Sequence, residues 1–151
     1  MPGIIVSDTS SLILLNKIGR LELLQFLFGQ ITITRIISEE FNNPLPGFIH
    51  IQDPQDNNYQ KILESFLDKG EASAIALALE IKDCLLIIDE LKGRREAKAL
   101  GISYTGIMGI LIIAKEKNII NSVSAIIDDI QKTDFRLSQK LIEETKRRSG
   151  E

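Results

Sequence analysis

The chain holds a single cysteine, Cys84, and a single histidine, His50. A lone thiol excludes an internal disulfide and accords with a reducing cytoplasm as the expected location. One Cys and one His also fall short of the ligand set of a structural zinc site. No stretch approaches the roughly 18 continuous apolar residues of a membrane span, so no membrane partner is expected. The opening segment MPGIIVSDTSS has neither a basic n-region nor a cleavage-like small-residue site after a long apolar core, and no secretion signal is read there. A basic excess is missing as well: 18 Lys and Arg stand against 21 Asp and Glu, a net charge of −3. Such a molecule has no overall cationic field to attract nucleic acid, so any contact of that kind must be local.

Proline is scarce, and three of the four prolines fall in NNPLPGFIHIQDPQDNN, residues 42–58, which reads as a surface crossing. His50 lies there in a short alternating run and reads as structural or exposed, not as a ligand. Neither an internal repeat nor a low-complexity segment is found. What remains is ordinary globular material, 44% hydrophobic and 26% charged over 151 residues. It predicts one domain over 1–151 built on one core.

Five short runs rich in Ile, Val, Leu or Phe predict strands at Ile4–Val6, Ile31–Ile33, Phe48–Ile51, Leu85–Ile88 and Ile102–Tyr104. Between them the spacing turns helical in RLELLQFLF, RIISEEF, YQKILESFL, EASAIALALEI, GRREAKAL and GIMGILIIAKEK. Two helical stretches follow the last strand: SVSAIIDDIQ, and an amphipathic C-terminal helix over about 136–148, able to pack across the sheet or against a partner. Strands apolar on both faces and separated by helices imply an α/β fold, a three-layer α/β/α sandwich around a central parallel five-stranded sheet. The site of such a fold lies beyond the carboxyl ends of the strands.

Acidic residues collect at those ends. Asp8 follows the first strand and reads either as a helix N-cap or as a site acid, with Thr9, Ser10 or Ser11 able to cap the helix that begins there. Glu40, beside Glu39, ends a helix whose dipole disfavours negative charge. Glu71 opens a nearly wholly apolar helix, where it either complements the dipole or belongs to a site. Asp89 and Glu90 end CLLIIDE, placing Asp89 where Asp8 stands on its own strand. If the two strands are neighbours, the aspartates come within roughly 5 Å, a costly approach unless a cation or proton intervenes. Mg²⁺ or Mn²⁺ prefers such oxygen ligands and often completes its shell with phosphate oxygens, which points to phosphodiester chemistry.

These residues lie in the words IVSDTSSLILLNKIGRLELL, GEASAIALALE, LLIIDELKGRREAKALGI and TGIMGILIIAKEKNII. Through them the sequence resembles the PIN-domain nucleases, and among them small prokaryotic PIN-like proteins of unassigned role, from Ile4 to about Leu141. The resemblance implies a parallel five-stranded sheet sandwiched by helices, with an acidic cluster that binds Mg²⁺ or Mn²⁺ and activates water to cleave RNA. Asp8, Glu40, Glu71 and Asp89 match the family's first to fourth acids, and Asp8, Glu71, Asp89 and Glu90 are the implied metal ligands. Relatives often carry Asp where Glu90 stands; the extra methylene moves that carboxylate by about one bond length. A toxin of a toxin–antitoxin pair, with an antitoxin-like protein partner, and a homodimer or higher homo-oligomer are further expectations of the resemblance.

Thr9 and Ser10 are candidates for orienting water or a phosphate oxygen, with helix capping as the competing role. Lys92, Arg94 and Arg95, just past Asp89, either grip the RNA backbone or pair with glutamates on a solvated helix. Lys146, Arg147 and Arg148 read as a solvated tail. A dehalogenase-like phosphatase would need a second acid where Ser10 stands, and a phospho-receiver an acidic pair after strand one; neither is present. A Gly-rich dinucleotide loop is missing too. The rival that stays open is a catalytically weak PIN-like module that binds RNA or protein.

Overall fold

A computed structural model of the chain describes residues 3–151; Met1 and Pro2, at the head of the segment read for a secretion signal, lie outside the described residues. Its centre is a sheet of five parallel strands, β1 (Ile4–Ser7), β2 (Ile31–Ile33), β3 (Ile49–Ile51), β4 (Cys84–Ile87) and β5 (Ser103–Thr105), in the order β3-β2-β1-β4-β5. All five expected strands form. Their ends move by about one residue because pairing, not composition, sets them: Ile4 to Ser7 align with Cys84 to Ile87, so β4 begins at Cys84. His50 is exposed on the edge strand β3.

Helices connect and cover the strands, making the three-layer α/β/α sandwich that parallel crossovers require. α1 (Thr9–Lys17) and α2 (Glu22–Phe28) lie between β1 and β2, and α3 (Arg35–Phe41) follows β2. α4 (Asn57–Leu63) and α5 (Lys69–Glu80) precede β4, and α6 (Leu91–Ala99) joins it to β5. α7 (Ile107–Glu116), α8 (Val123–Gln131) and α9 (Gln139–Arg148) close the chain and pack on one another. The C-terminal helix starts at Gln139, later than the amphipathic pattern suggests, because the Ser138 hydroxyl accepts the Leu141 amide and fixes the cap.

The strand residues Val6, Ile31, Ile33, Leu86 and Ile87 are fully buried together with Leu12, Leu15 and Leu24 from the first two helices. Each such side chain contributes about 1.5–3 kcal/mol of transfer free energy. α5 is the most enclosed helix: Gly70 to Ala78 are all buried, and the small Gly70, Ser73 and four alanines among them let it sit against α3, α4, α6, β1 and β4. Among the described residues no helix is long and apolar enough to cross a membrane.

The strand order matters for function. β1 leads to β2 on one side, while β4 lies on the other, so the sheet changes direction between β1 and β4. Parallel α/β sheets leave a crevice at such a point, beyond the carboxyl ends of the strands.

Candidate active site

Asp8 stands at that point. The backbone ladder carries one step past β1, with the Asp8 amide donating to the Ile87 carbonyl at 2.9 Å. The chain then turns into α1, and Asp8 is its N-cap, accepting the Ser11 amide at 3.0 Å. This settles the capping roles: neither Thr9, Ser10 nor Ser11 caps α1. Their hydroxyls are spent on acids instead. Ser10 donates to Asp8 Oδ2 at 3.2 Å, Thr9 to Glu40 Oε1 at 2.5 Å, and Ser11 to Asp89 Oδ2 at 2.9 Å.

Glu40 reaches Thr9 from the last turn of α3, which ends when Asn42 takes a left-handed conformation at φ 51°. Its neighbour Glu39 is exposed and does not border the pocket. Space for the Glu40 carboxylate comes from Gly70, where a Cβ would collide with Glu40 Oε1 and lie 3.0 Å from Thr9 Oγ1. Glu71 follows on the same helix, its amide capped by Asp68 at 2.8 Å. Glu90 holds the N-cap position of α6 without a side-chain cap bond, which leaves its carboxylate to the site.

Asp8, Glu40, Asp68, Glu71 and Glu90 thus border one pocket of about 320 Å³, together with Thr9 and Ser10. Burial pushes the Asp8 carboxyl up to about 6, with repulsion from Asp89 adding to it against the Ser11 hydrogen bonds. Burial pushes Glu71 up to about 7, reinforced by Asp68, Glu90, Asp8 and Glu40. No Lys or Arg borders this pocket to offset the repulsion felt by Asp8 and Glu71.

Asp89 differs from its expected place. It lies two residues past β4 whereas Asp8 lies one past β1, so the two are not level. The Asp89 amide donates to Asp8 Oδ2 at 3.3 Å, and its carboxylate faces the other way, toward Arg94 and the Ile107 amide, bordering a second cavity. Burial raises its pKa, opposed by the Ser11 hydroxyl, the Ile107 amide and Arg94. The close approach of the two aspartates is therefore relieved on the Asp89 side by Ser11 and Arg94.

Arg94 is placed accordingly. Its Nε donates to the Ile88 carbonyl at 2.8 Å, Nη2 lies 3.7 Å from Asp89 Oδ1, and the guanidinium stands 5.7 Å from the Tyr104 ring centroid. Gly106 admits it, since a Cβ there would collide with Nη2. Arg94 holds Asp89 and does not project freely toward a ligand. Lys92 and Arg95 are exposed on α6 with no ion pair among the described residues.

Sequence reasoning missed Ser11, Asp68, Gly70 and Gly106. Asp68 had a local signal, the D-x-x-E spacing of Asp68 and Glu71 at a helix start. Ser11 and the two glycines had none, because their roles depend on residues 78, 30 and 12 positions away, counting to Asp89, Glu40 and Arg94.

Among the described residues no three His, Cys, Asp or Glu side chains are gathered closely enough to cage a metal ion. The donor set nevertheless suits a hard cation: every acid offers oxygen, and mutual repulsion in the pocket would be relieved by positive charge. Mg²⁺ typically keeps several waters and takes one or two carboxylates directly, so an open ring of acids is compatible with it. The family described as PIN domain matches residues 4–151 of the chain, while no curated protein and no solved structure matches it.

Proposed function

The chain belongs to the PIN-domain family, whose fold is of nuclease type, and on that premise we propose that it is a metal-dependent endoribonuclease. The observation that carries the reading is the pocket at the β1/β4 crevice, in which Asp8, Glu40, Glu71 and Glu90 meet. Asp8 and Glu71 are the residues that would hold Mg²⁺ or Mn²⁺, with Glu40 and Glu90 binding its waters. When bound, such a cation lowers the pKa of a coordinated water and offsets negative charge on phosphoryl oxygens.

The chain's own groups prepare that site. Ser10, Ser11 and the Asp89 amide orient Asp8. Thr9 fixes Glu40. Glu71 holds a proton up to near neutrality in the metal-free pocket and would give it up to hold a cation. Asp89 acts here through its amide and through Ser11, its carboxylate being held by Arg94. In cells this activity fits the toxin of a toxin–antitoxin pair, its inhibitor being a protein that covers the acidic pocket.

A second reading, a PIN-like module that binds RNA or protein without cutting, is favoured by the Asp89 carboxylate facing Arg94 instead of the pocket. Incubating single-stranded RNAs with the protein and Mn²⁺ separates the two. The nuclease reading expects cleavage by wild type and none by Asp8→Asn or Glu71→Gln; equal cleavage by all three, or none by wild type across varied RNAs, overturns it.

A further inference from the structure

Behind the Asp8–Asp89 contact lies a second cavity of about 300 Å³, enclosed by the end of β5, the start of α7 and one face of α9. Asp8 borders the acidic pocket and Asp89 borders this one, and they touch at 3.3 Å, so the two cavities share a wall about one residue thick. This adjacency makes the second cavity a candidate seat for the unit next to one held at the acidic pocket.

The linings differ in charge, the first carrying acids alone and the second acids and arginines in equal number. The acidic pocket contains no cation, whereas the second cavity is bordered by Arg94 and Arg148. Its two acids are already engaged: Asp89 by Ser11, the Ile107 amide and Arg94, and Glu144 by Arg147 at 2.6 Å. Arg148 is exposed and makes no ion pair among the described residues, although it adjoins the paired Arg147. Tyr104 and Leu141 add aromatic and apolar surface, and Leu141 is 41% exposed at the rim. Arg94 is committed to Asp89 and the Tyr104 ring, so Arg148 is the guanidinium left for a phosphate, and Tyr104 with Leu141 supplies surface on which a base can stack.

We propose that this cavity is the subsite for the nucleotide adjoining the cleaved phosphodiester, with its phosphate on Arg148 and its base against Tyr104 and Leu141. The proposal rests on the nuclease reading for the identity of the polymer. It also gives the C-terminal run a function: Arg148 belongs to the site and not to a solvated tail.

The test uses the full chain and a short labelled single-stranded RNA, with binding followed by fluorescence anisotropy in EDTA and cleavage followed in Mn²⁺. Arg148→Glu should weaken binding about five- to tenfold and reduce the log–log salt slope by about 0.7, as loss of one phosphate contact does. Tyr104→Leu should weaken binding about fivefold or more while leaving the salt slope unchanged, as loss of stacking does. Lys82→Glu, the same charge change beside the amino end of β4, is the control. If wild type binds and both variants behave like Lys82→Glu, the subsite is overturned and the nuclease reading stands. If the predicted pattern appears but wild type leaves RNA uncut, the subsite stands and the nuclease reading falls. Failure of wild type to bind overturns the subsite, and cleavage in Mn²⁺ then decides the nuclease reading by itself.

Discussion

At Asp8 one carboxylate both caps α1 and borders the acidic pocket. The combination leaves a pH signature. Asp8 and Glu71 hold protons up to about 6 and about 7 in the folded chain, against ordinary values of 3.8 and 4.5. The folded state therefore binds protons more tightly than the unfolded one, and this stability is fully present below the ordinary values and lost as pH rises through the folded ones. Metal-free protein should melt at a higher temperature near pH 5 than near pH 7.5, with Asp8 alone responsible for about 1.4 kcal/mol of the difference. Thermal melts of Asp8→Asn across that range should show a flatter profile, whatever the absolute melting temperature. Gly70 is the second residue-scale test. Gly70→Ala favours helix by up to about 1 kcal/mol but forces the Glu40 carboxylate aside. Melting should shift by only a few degrees, while Mn²⁺ affinity measured by calorimetry and RNA cleavage should each fall at least tenfold.

At the scale of elements, the helical and strand periods in the sequence mark nearly every segment, and the residues that end them are set by partners. α9 shows both sides of this. Its amphipathic pattern predicts a buried stripe, and Ile142 and Thr145 supply it, packed toward α7 and α8. What fastens the segment is the Glu151 side chain, which accepts from the Val123 amide at 2.7 Å, the Ser124 amide at 3.0 Å and Lys115 Nζ at 2.7 Å. It thereby satisfies free amides at the start of α8, and Lys115 with these donors holds its carboxyl far below the usual range. Glu151→Ala should lower stability by about 1 kcal/mol, in line with loss of a helix cap. Hydrogen exchange should quicken in the first turn of α8 and in α9. The difference from wild type should narrow as pH falls below 4.5, the ordinary glutamate value, because a carboxyl with a depressed pKa contributes only while ionised.

For the molecule as a whole, the acids act as one unit on metal. Mn²⁺ in excess should raise the melting temperature by several degrees near pH 7.5, since a ligand at about 100 times its Kd stabilises by about 2.7 kcal/mol. The rise should shrink near pH 5, where Asp8 and Glu71 are protonated, and disappear on EDTA addition or in Asp8→Asn with Glu71→Gln; an equal shift at both pH values would contradict the proposed ligands. The parallel α/β sandwich, and the positions of Asp8, Glu40 and Glu71 at the ends of its strands and helices, were determined by the sequence alone. Burial pattern and strand-end position are local properties, written in the period of apolar residues and the residue that follows each run. Tertiary structure alone decided that Ser11 bridges to Asp89, that Asp89 faces Arg94, and that Arg148 joins a second cavity. Each depends on the β1–β4 register and the seating of α9, and so on contacts between residues far apart in the chain, whose distance no local pattern encodes.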